Sequence, residues 1–209
     1  LRREIGLPDI RRMRQWSFFD TASLALYPAW YNDLGDLARH DITQTDFVFS
    51  RTDESAPLTE ELEAFLQAGS PPVAFTFGTG VAHVRSALEK AVAALARLGL
   101  RGIFVTRFTQ NLPENIGNAL VVPYADFAAL LPRIGLLVHH GGIGTAAQAI
   151  RAGIPQVIIP IAFDQPDNAH RLRSLGLAEF LPGHDFSVPA LEEAIRQALA
   201  NVDHQRLTQ

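Results

Sequence analysis

No cysteine occurs among the 209 residues, which excludes disulfide staples and thiolate metal sites and leaves the redox compartment open. No stretch of about eighteen consecutive apolar residues is present, so a membrane-spanning helix is not expected. The sequence opens without the apolar core of a secretory leader, and a cytoplasmic location is expected. Excess positive charge is missing as well. A net charge of −4 and a pI near 6.0 argue against a nucleic-acid partner. Basic character is local instead: Arg2, Arg3, Arg11, Arg12 and Arg14 precede Trp16, Phe18 and Phe19. Such a segment reads either as a solvated helix beside packed aromatics or as a peripheral contact with the inner membrane face, without stable insertion. What the chain has in quantity is apolar residues, 47%, enough for one α/β core with an appended segment.

The most informative stretch is residues 134–169. An apolar run over 134–138 stops at His139-His140. Gly141-Gly142-Ile143-Gly144 and Thr145 follow, then an alanine-rich helical pattern through Ile150. That order is buried strand, glycine-rich turn and helix start. Amides at a helix N-terminus can approach an anion closely, and the helix dipole favours negative charge there. His140, at the lip of the turn, is placed to give a charge-assisted hydrogen bond to a phosphate oxygen. A tight turn with self-satisfied histidines is the plainer reading of the glycines alone. The continuation favours a ligand. Gly153-Ile154-Pro155 ends the helix, residues 156–160 form a β-branched strand, and a second turn carries Asp164-Gln165 and Asn168-Ala169. Two successive strand ends then present polar groups to one crevice, as expected for a phosphorylated ligand at the C-terminal edge of a parallel sheet.

The rest of the chain supplies that sheet. Residues 1–55 read as an irregular lead-in: Leu7-Pro8 breaks a helical stretch, residues 27–31 are extended and aromatic, and residues 46–50 form a short strand. It is too aromatic for a free linker and should pack on something. From residue 56 to 209 a single domain is expected. Its helices cover 59–68 (Thr59 cap, Glu60 and Glu61 in the first turn), 84–98, 126–131, 166–175 and 189–200 (Ser187 capping nearby). Its strands cover 73–77, 102–106, 119–122, 134–138, 156–159 and 178–181. Alternation of this kind makes an α/β fold with a Rossmann-like, doubly wound parallel sheet of about six strands. Gly78-Thr79-Gly80 is not a dinucleotide fingerprint, because His83 holds the third glycine position and no acidic residue follows the second strand.

The run from His140 to Thr145, followed about twenty residues on by Asp164-Gln165-Pro166-x-Asn168-Ala169, resembles the donor-binding signature of family 1 glycosyltransferases. The likeness is to bacterial, sterol and natural-product types and spans roughly residues 72–182. These are two-domain enzymes of the GT-B fold that use nucleotide sugars, and the chain looks like the C-terminal, donor-binding half. The resemblance implies diphosphate contacts from His140, Gly142, Gly144 and Thr145, with Gly78 and Thr79 in a first loop facing diphosphate and sugar. It implies base contacts from Val122, Pro123 and Tyr124, where Tyr124 either stacks or packs under the loop. Gln148 stands where plant members carry a glutamate that holds the ribose, and Asp164 and Gln165 map onto sugar contacts. A polar loop with Asp164 as helix cap is the structural alternative for the last pair.

The reaction so implied is displacement at the anomeric carbon with a nucleoside diphosphate leaving. No two aspartates flank a single residue, so the Asp-x-Asp metal motif of the other large transferase class is absent. Leaving-group charge would be met by imidazole, amides and helix dipole, with no metal and no cofactor. Inversion is implied by the resemblance. The expected partners are a nucleotide sugar, UDP- or TDP-linked, and the protein's own N-terminal acceptor domain, which would hold the catalytic base. Two such domains need about twice this length. The chain is therefore expected to lack the acceptor domain, to contain no catalytic residue itself, and to bind donor without turnover. A complete donor subunit of a two-chain transferase and a non-catalytic nucleotide-sugar-binding module are the alternatives.

Overall fold

The computed structural model describes residues 23–35, 42–49, 56–77, 84–108 and 115–201. The arginine-rich segment, Leu7-Pro8, and Gly78, Thr79, Gly80 and His83 lie outside them. The chain divides into two compact units, Leu1–Val48 and Phe49–Gln209.

In the first unit, β1 (Ser23–Ala25) and β2 (Ile42–Gln44) pair in parallel. The strand expected over 46–50 is not formed at 46–49, and Ser50 lies outside the described residues. Phe47 turns into an aromatic cluster instead, its ring 5.8 Å from Trp30 and 5.4 Å from Tyr31 in edge-to-face geometry. Residues 27–31 are likewise not extended. The Pro28 carbonyl accepts the Tyr31 and Asn32 amides at 3.1 and 3.3 Å, closing a turn.

The second unit is the α/β domain. Its strands are β3 (Val73–Thr76), β4 (Gly102–Val105), β5 (Ala119–Val122), β6 (Leu136–His139), β7 (Gln156–Ile158) and β8 (Glu179–Phe180). Its helices are α1 (Glu60–Gln67), α2 (Val84–Leu98), α3 (Phe127–Leu130), α4 (Ile143–Arg151), α5 (Gln165–Ser174) and α6 (Val188–Asn201). The six strands run parallel in the order β5-β4-β3-β6-β7-β8. Period-two alternation divides the core. Val73, Phe75, Phe104, Leu136, Val138 and Val157 pack on Leu88 and Leu95 of α2 and on Leu191 and Ile195 of α6. Ala74, Ile103 and Leu137 pack on the other face with Leu62 and Leu66 of α1, Leu130 of α3 and Ala149 of α4. Among the described residues no helix is long and apolar enough to cross a membrane.

Local signals act as expected. The Thr59 hydroxyl accepts the Leu62 amide at 3.3 Å, with Glu60, Glu61 and Glu63 in the first turn of α1. Asp126 proves to be the cap of α3 rather than its first residue, accepting the Ala128 amide at 2.9 Å. Pro132 then tightens the chain into a 3-10 turn at Leu131–Arg133. The fourth strand of the sheet starts and ends later than expected, taking in His139. From β3 the chain walks outward to β4 and β5, then returns to place β6 on the other side of β3. The strand order therefore reverses between β3 and β6, and in open parallel sheets a ligand crevice lies at that reversal.

Candidate functional site

At the reversal Thr76 and His139 are register partners. His139 is wholly buried, with Nε2 2.9 Å from the Gln156 Oε1, and its Nδ1 accepts the Gly141 amide at 3.1 Å. An accepting Nδ1 places the proton on Nε2, so the ring donates to Gln156. Burial drives its pKa down to about 3, against the weaker upward pull of the Gln156 bond. The first histidine of the pair is thus a neutral brace for the turn, a role that the sequence reading left unassigned. The available signal was alternation, since Leu137 and His139 share a face of β6 and only a neutral, paired imidazole suits that interior.

Gly141 is held at φ +92°, where only glycine is relaxed, and a Cβ there would meet Ile158 Cγ2 at 2.7 Å and the Gln165 carbonyl at 3.2 Å. Gly142 caps α4 without a side chain to offer, and its carbonyl accepts the Thr145 and Ala146 amides at 3.1 and 3.0 Å. The amides of Ile143 and Gly144 precede the first intrahelical bonds and point out of the helix end. Gly144 is exposed, and a Cβ on it would touch nothing within 4 Å. Among the described residues no packing accounts for a residue that costs a helix about 1 kcal/mol relative to alanine. Its smallness leaves the helix end uncovered by any described side chain. Thr145 and Gln148, both half-buried, lie one helical turn apart on one face.

His140 lies against this turn, and a Cβ on Gly142 would stand 2.9 Å from its Nε2. The ring is half-buried, and among the described residues its buried Nδ1 makes no well-formed hydrogen bond, the Thr76 carbonyl exerting only a weaker pull. Burial lowers its pKa below the ordinary 6.5, while the Thr76 carbonyl and the Asp164 carboxylate oppose that shift. The net shift favours the neutral imidazole. The expected charge-assisted hydrogen bond to a phosphate oxygen asks no standing charge of His140, because the phosphate carries one.

The second loop is tied to the first by Asn168. Its Nδ2 donates to the Gly141 carbonyl and to the Asp164 Oδ2, both at 2.9 Å, and the residue is 6% exposed. Asp164 precedes α5 but makes no side-chain cap bond, so its carboxylate serves the Asn168 link and the cleft instead of the helix. Gln165 is partly engaged within the loop. Its Oε1 accepts the Ile161 and Ala162 amides at 2.8 and 2.9 Å, which leaves only its NH2 for a ligand. Between them and β7 stands Phe163, at φ +62° and 94% exposed.

The structure thus brings His140, Asp164, the α4 amides and Asn168 to one crevice. The residues expected at the base lie at the end of β5, with β4 between β5 and β3. Val122 is buried, and its carbonyl accepts the Thr106 amide at 2.9 Å, so its backbone is in part committed to the sheet. Pro123 and Tyr124 are exposed, Tyr124 at 62%.

Residues 105–209 match the family described as erythromycin biosynthesis protein CIII-like, C-terminal domain. Over 144 residues the chain is 42% identical to O-mycaminosyltylonolide 6-deoxyallosyltransferase of Streptomyces fradiae, covering 68% of this chain and 33% of that protein. Over 208 residues it is 31% identical to vancomycin aglycone glucosyltransferase of Amycolatopsis orientalis, covering 98% and 49%. The chain spans about half the length of this second relative, and less of the first. Among solved structures it is similar to the glycotransferase of kitacinnamycin (TM-score 0.74, 23% identity, 89% of this chain and 49% of that one). It is also similar to UDP-glucose: anthocyanidin 3-O-glucosyltransferase in complex with UDP (TM-score 0.73, 15% identity, 88% and 46%). Identities this low speak for the fold.

Proposed function

The chain belongs to the erythromycin biosynthesis protein CIII-like glycosyltransferases, of which it carries the C-terminal domain, and we propose that it is their nucleotide-sugar-binding half. The observation that carries this reading is the crevice at the strand reversal, where the first amides of α4, the half-buried His140 imidazole and the Asp164 carboxylate converge. The diphosphate lies across the Gly142–Thr145 turn. Gln148 meets the ribose, Pro123 and Tyr124 border the base, and Asp164 with the Gln165 NH2 holds the sugar hydroxyls. Gly78 and Thr79, outside the described residues, are assigned to the phosphates by the family resemblance alone.

In the reaction, the bond between the anomeric carbon and the β-phosphate oxygen breaks while the acceptor oxygen attacks from the opposite face. The configuration at that carbon inverts. The electron pair of the broken bond stays on the nucleoside diphosphate, where the α4 dipole, the amides and His140 stabilise it. Fixed donors of this kind need no divalent cation. The acceptor and the base that takes its proton belong to an N-terminal acceptor domain, and the donor is one made in the cytoplasm. UDP- and TDP-sugars are the donors of choice.

Titration calorimetry with UDP and TDP in the presence of EDTA tests the reading. Binding of at least one nucleotide is expected, and His140→Ala should weaken it about tenfold, the worth of one hydrogen bond to a charged group. No binding at millimolar nucleotide, with or without magnesium, overturns the donor role. Full affinity in His140→Ala removes His140 from the phosphate.

A further inference from the structure

Gln156 opens β7, whose other residues are Val157 and Ile158, and its side chain is wholly buried. A parallel strand covered on both faces is ordinarily apolar throughout, and a buried amide is costly unless its groups find partners. The register sets Gln156 beside Leu137 of β6, whose side chain packs on the face of the sheet where α4 packs. His139, two residues further along β6, shares that face. A polar pair is thus set into an otherwise apolar layer.

Backbone groups at the two ends of this pair fix the proton of every link. The Leu177 carbonyl can only accept, and Gln156 Nε2 donates to it at 3.5 Å. The Gln156 oxygen therefore faces His139, 2.9 Å from Nε2, and that nitrogen carries the proton of the ring. At the other end the Gly141 N–H can only donate, and Nδ1 accepts it at 3.1 Å. The Gly141 carbonyl in turn accepts from Asn168 Nδ2, whose second proton goes to Asp164 Oδ2, both at 2.9 Å. Donors point one way from Asn168 to Leu177, and a single tautomer of a neutral imidazole fits. The other tautomer, or an imidazolium, would set Nδ1–H against the Gly141 N–H. Gly141 is clamped at both its N–H and its carbonyl in the φ +92° conformation, next to the Gly142 cap of α4.

We propose that Gln156 is a positioning residue for the donor: through the tautomer of His139 it holds Gly141, and so the amides at the start of α4, in the arrangement that receives the diphosphate. Gln156 touches no ligand itself, because it is wholly buried and His139 stands between it and the turn. The assignment rests on the donor reading above, whereas the hydrogen-bond network stands without it.

The test uses the 209-residue chain, the variant Gln156→Met and, as a control, Val157→Ala, a buried neighbour whose side chain packs toward α2 and α6 instead. Long-range proton–nitrogen NMR reads the His139 tautomer, hydrogen exchange reads the Gly141 amide, and calorimetry reads UDP affinity. The unaltered chain should carry its His139 proton on Nε2 and protect the Gly141 amide. Gln156→Met should populate the Nδ1–H tautomer, and should speed Gly141 exchange and weaken UDP binding, each about tenfold. Val157→Ala should lose stability yet keep the tautomer and the UDP affinity. An Nδ1–H tautomer in the unaltered chain, full UDP affinity in Gln156→Met, or an equal loss of affinity in Val157→Ala overturns the proposal. Should Gln156→Met not fold, the unaltered chain decides. Saturating UDP should slow Gly141 exchange further and shift the His139 nitrogen resonances, and no change in either overturns the coupling. If UDP binds no form, the donor reading falls and the positioning role falls with it, while the tautomer still tells whether the network is right.

Discussion

At the residue scale the side chain that does most to hold the crevice together is one that binds no ligand in the proposed scheme. Asn168 donates to Gly141 and to Asp164 at once, so it fixes the carboxylate relative to the glycine turn. Asn168→Ala would leave the Gly141 carbonyl without this donor, a loss of about 1–3 kcal/mol in stability for a buried acceptor. It would also release Asp164 to rotate. The expected outcome is selective: UDP affinity falls a few-fold, whereas UDP-glucose affinity falls about tenfold, because only the sugar reads Asp164. Calorimetry with both ligands checks it, and equal losses would reduce Asn168 to a fold-stabilising role. The signature spacing placed Asp164, Gln165 and Asn168 together at one turn from sequence alone, and the structure puts Gln165 and Asn168 in the first turn of α5. It did not reveal that the Gln165 oxygen is spent on the Ile161 and Ala162 amides, because loop hydrogen bonds depend on backbone torsions that no periodicity encodes. The positive φ of Phe163 was hidden for the same reason.

At the element scale the sheet was legible because buried parallel strands must be apolar on both faces and the helices between them keep a 3.6-residue period. Helix α2 falls on the expected residues, and β5 does too. The misreadings were at strand ends and in the aromatic lead-in. His139 extends β6 because it is neutral and paired, and Phe47 leaves the strand pattern because a ring cluster offers more burial than a short pairing. The brace has a consequence in acid. An unfolded chain protonates His139 as pH falls through about 6.5, but the folded chain resists until about 3. Stability is complete above 6.5 and is lost as pH falls, by at most about 1.4 kcal/mol per pH unit from this residue. Between pH 6.5 and 5, urea unfolding should show a loss of about 2 kcal/mol from this residue, and the lowered pKa of His140 acts in the same direction. His139→Gln should be less stable at pH 7 but flatter across the same range. An equally steep variant would refute the brace.

At the scale of the whole molecule, the two compact units differ in what a donor should do to them. All the proposed contacts belong to the second unit, Phe49–Gln209, and the two-stranded pairing of the first contributes none. A nucleotide at a hundred times its dissociation constant adds about 2.7 kcal/mol to the stability of the state it binds. In a chain of this size each kcal/mol raises the melting temperature by about 2–4 °C, so a rise of roughly 5–10 °C is expected for the second unit. Hydrogen exchange should place the gain. The Ile143 and Gly144 amides, which have no helical acceptor, should slow most on addition of UDP, followed by β6 and the loop at residues 159–165. Exchange in β1 and β2 should not change. Protection centred on β1 and β2, or spread evenly over both units, would move the site away from the strand reversal and leave the glycine turn with a purely structural role.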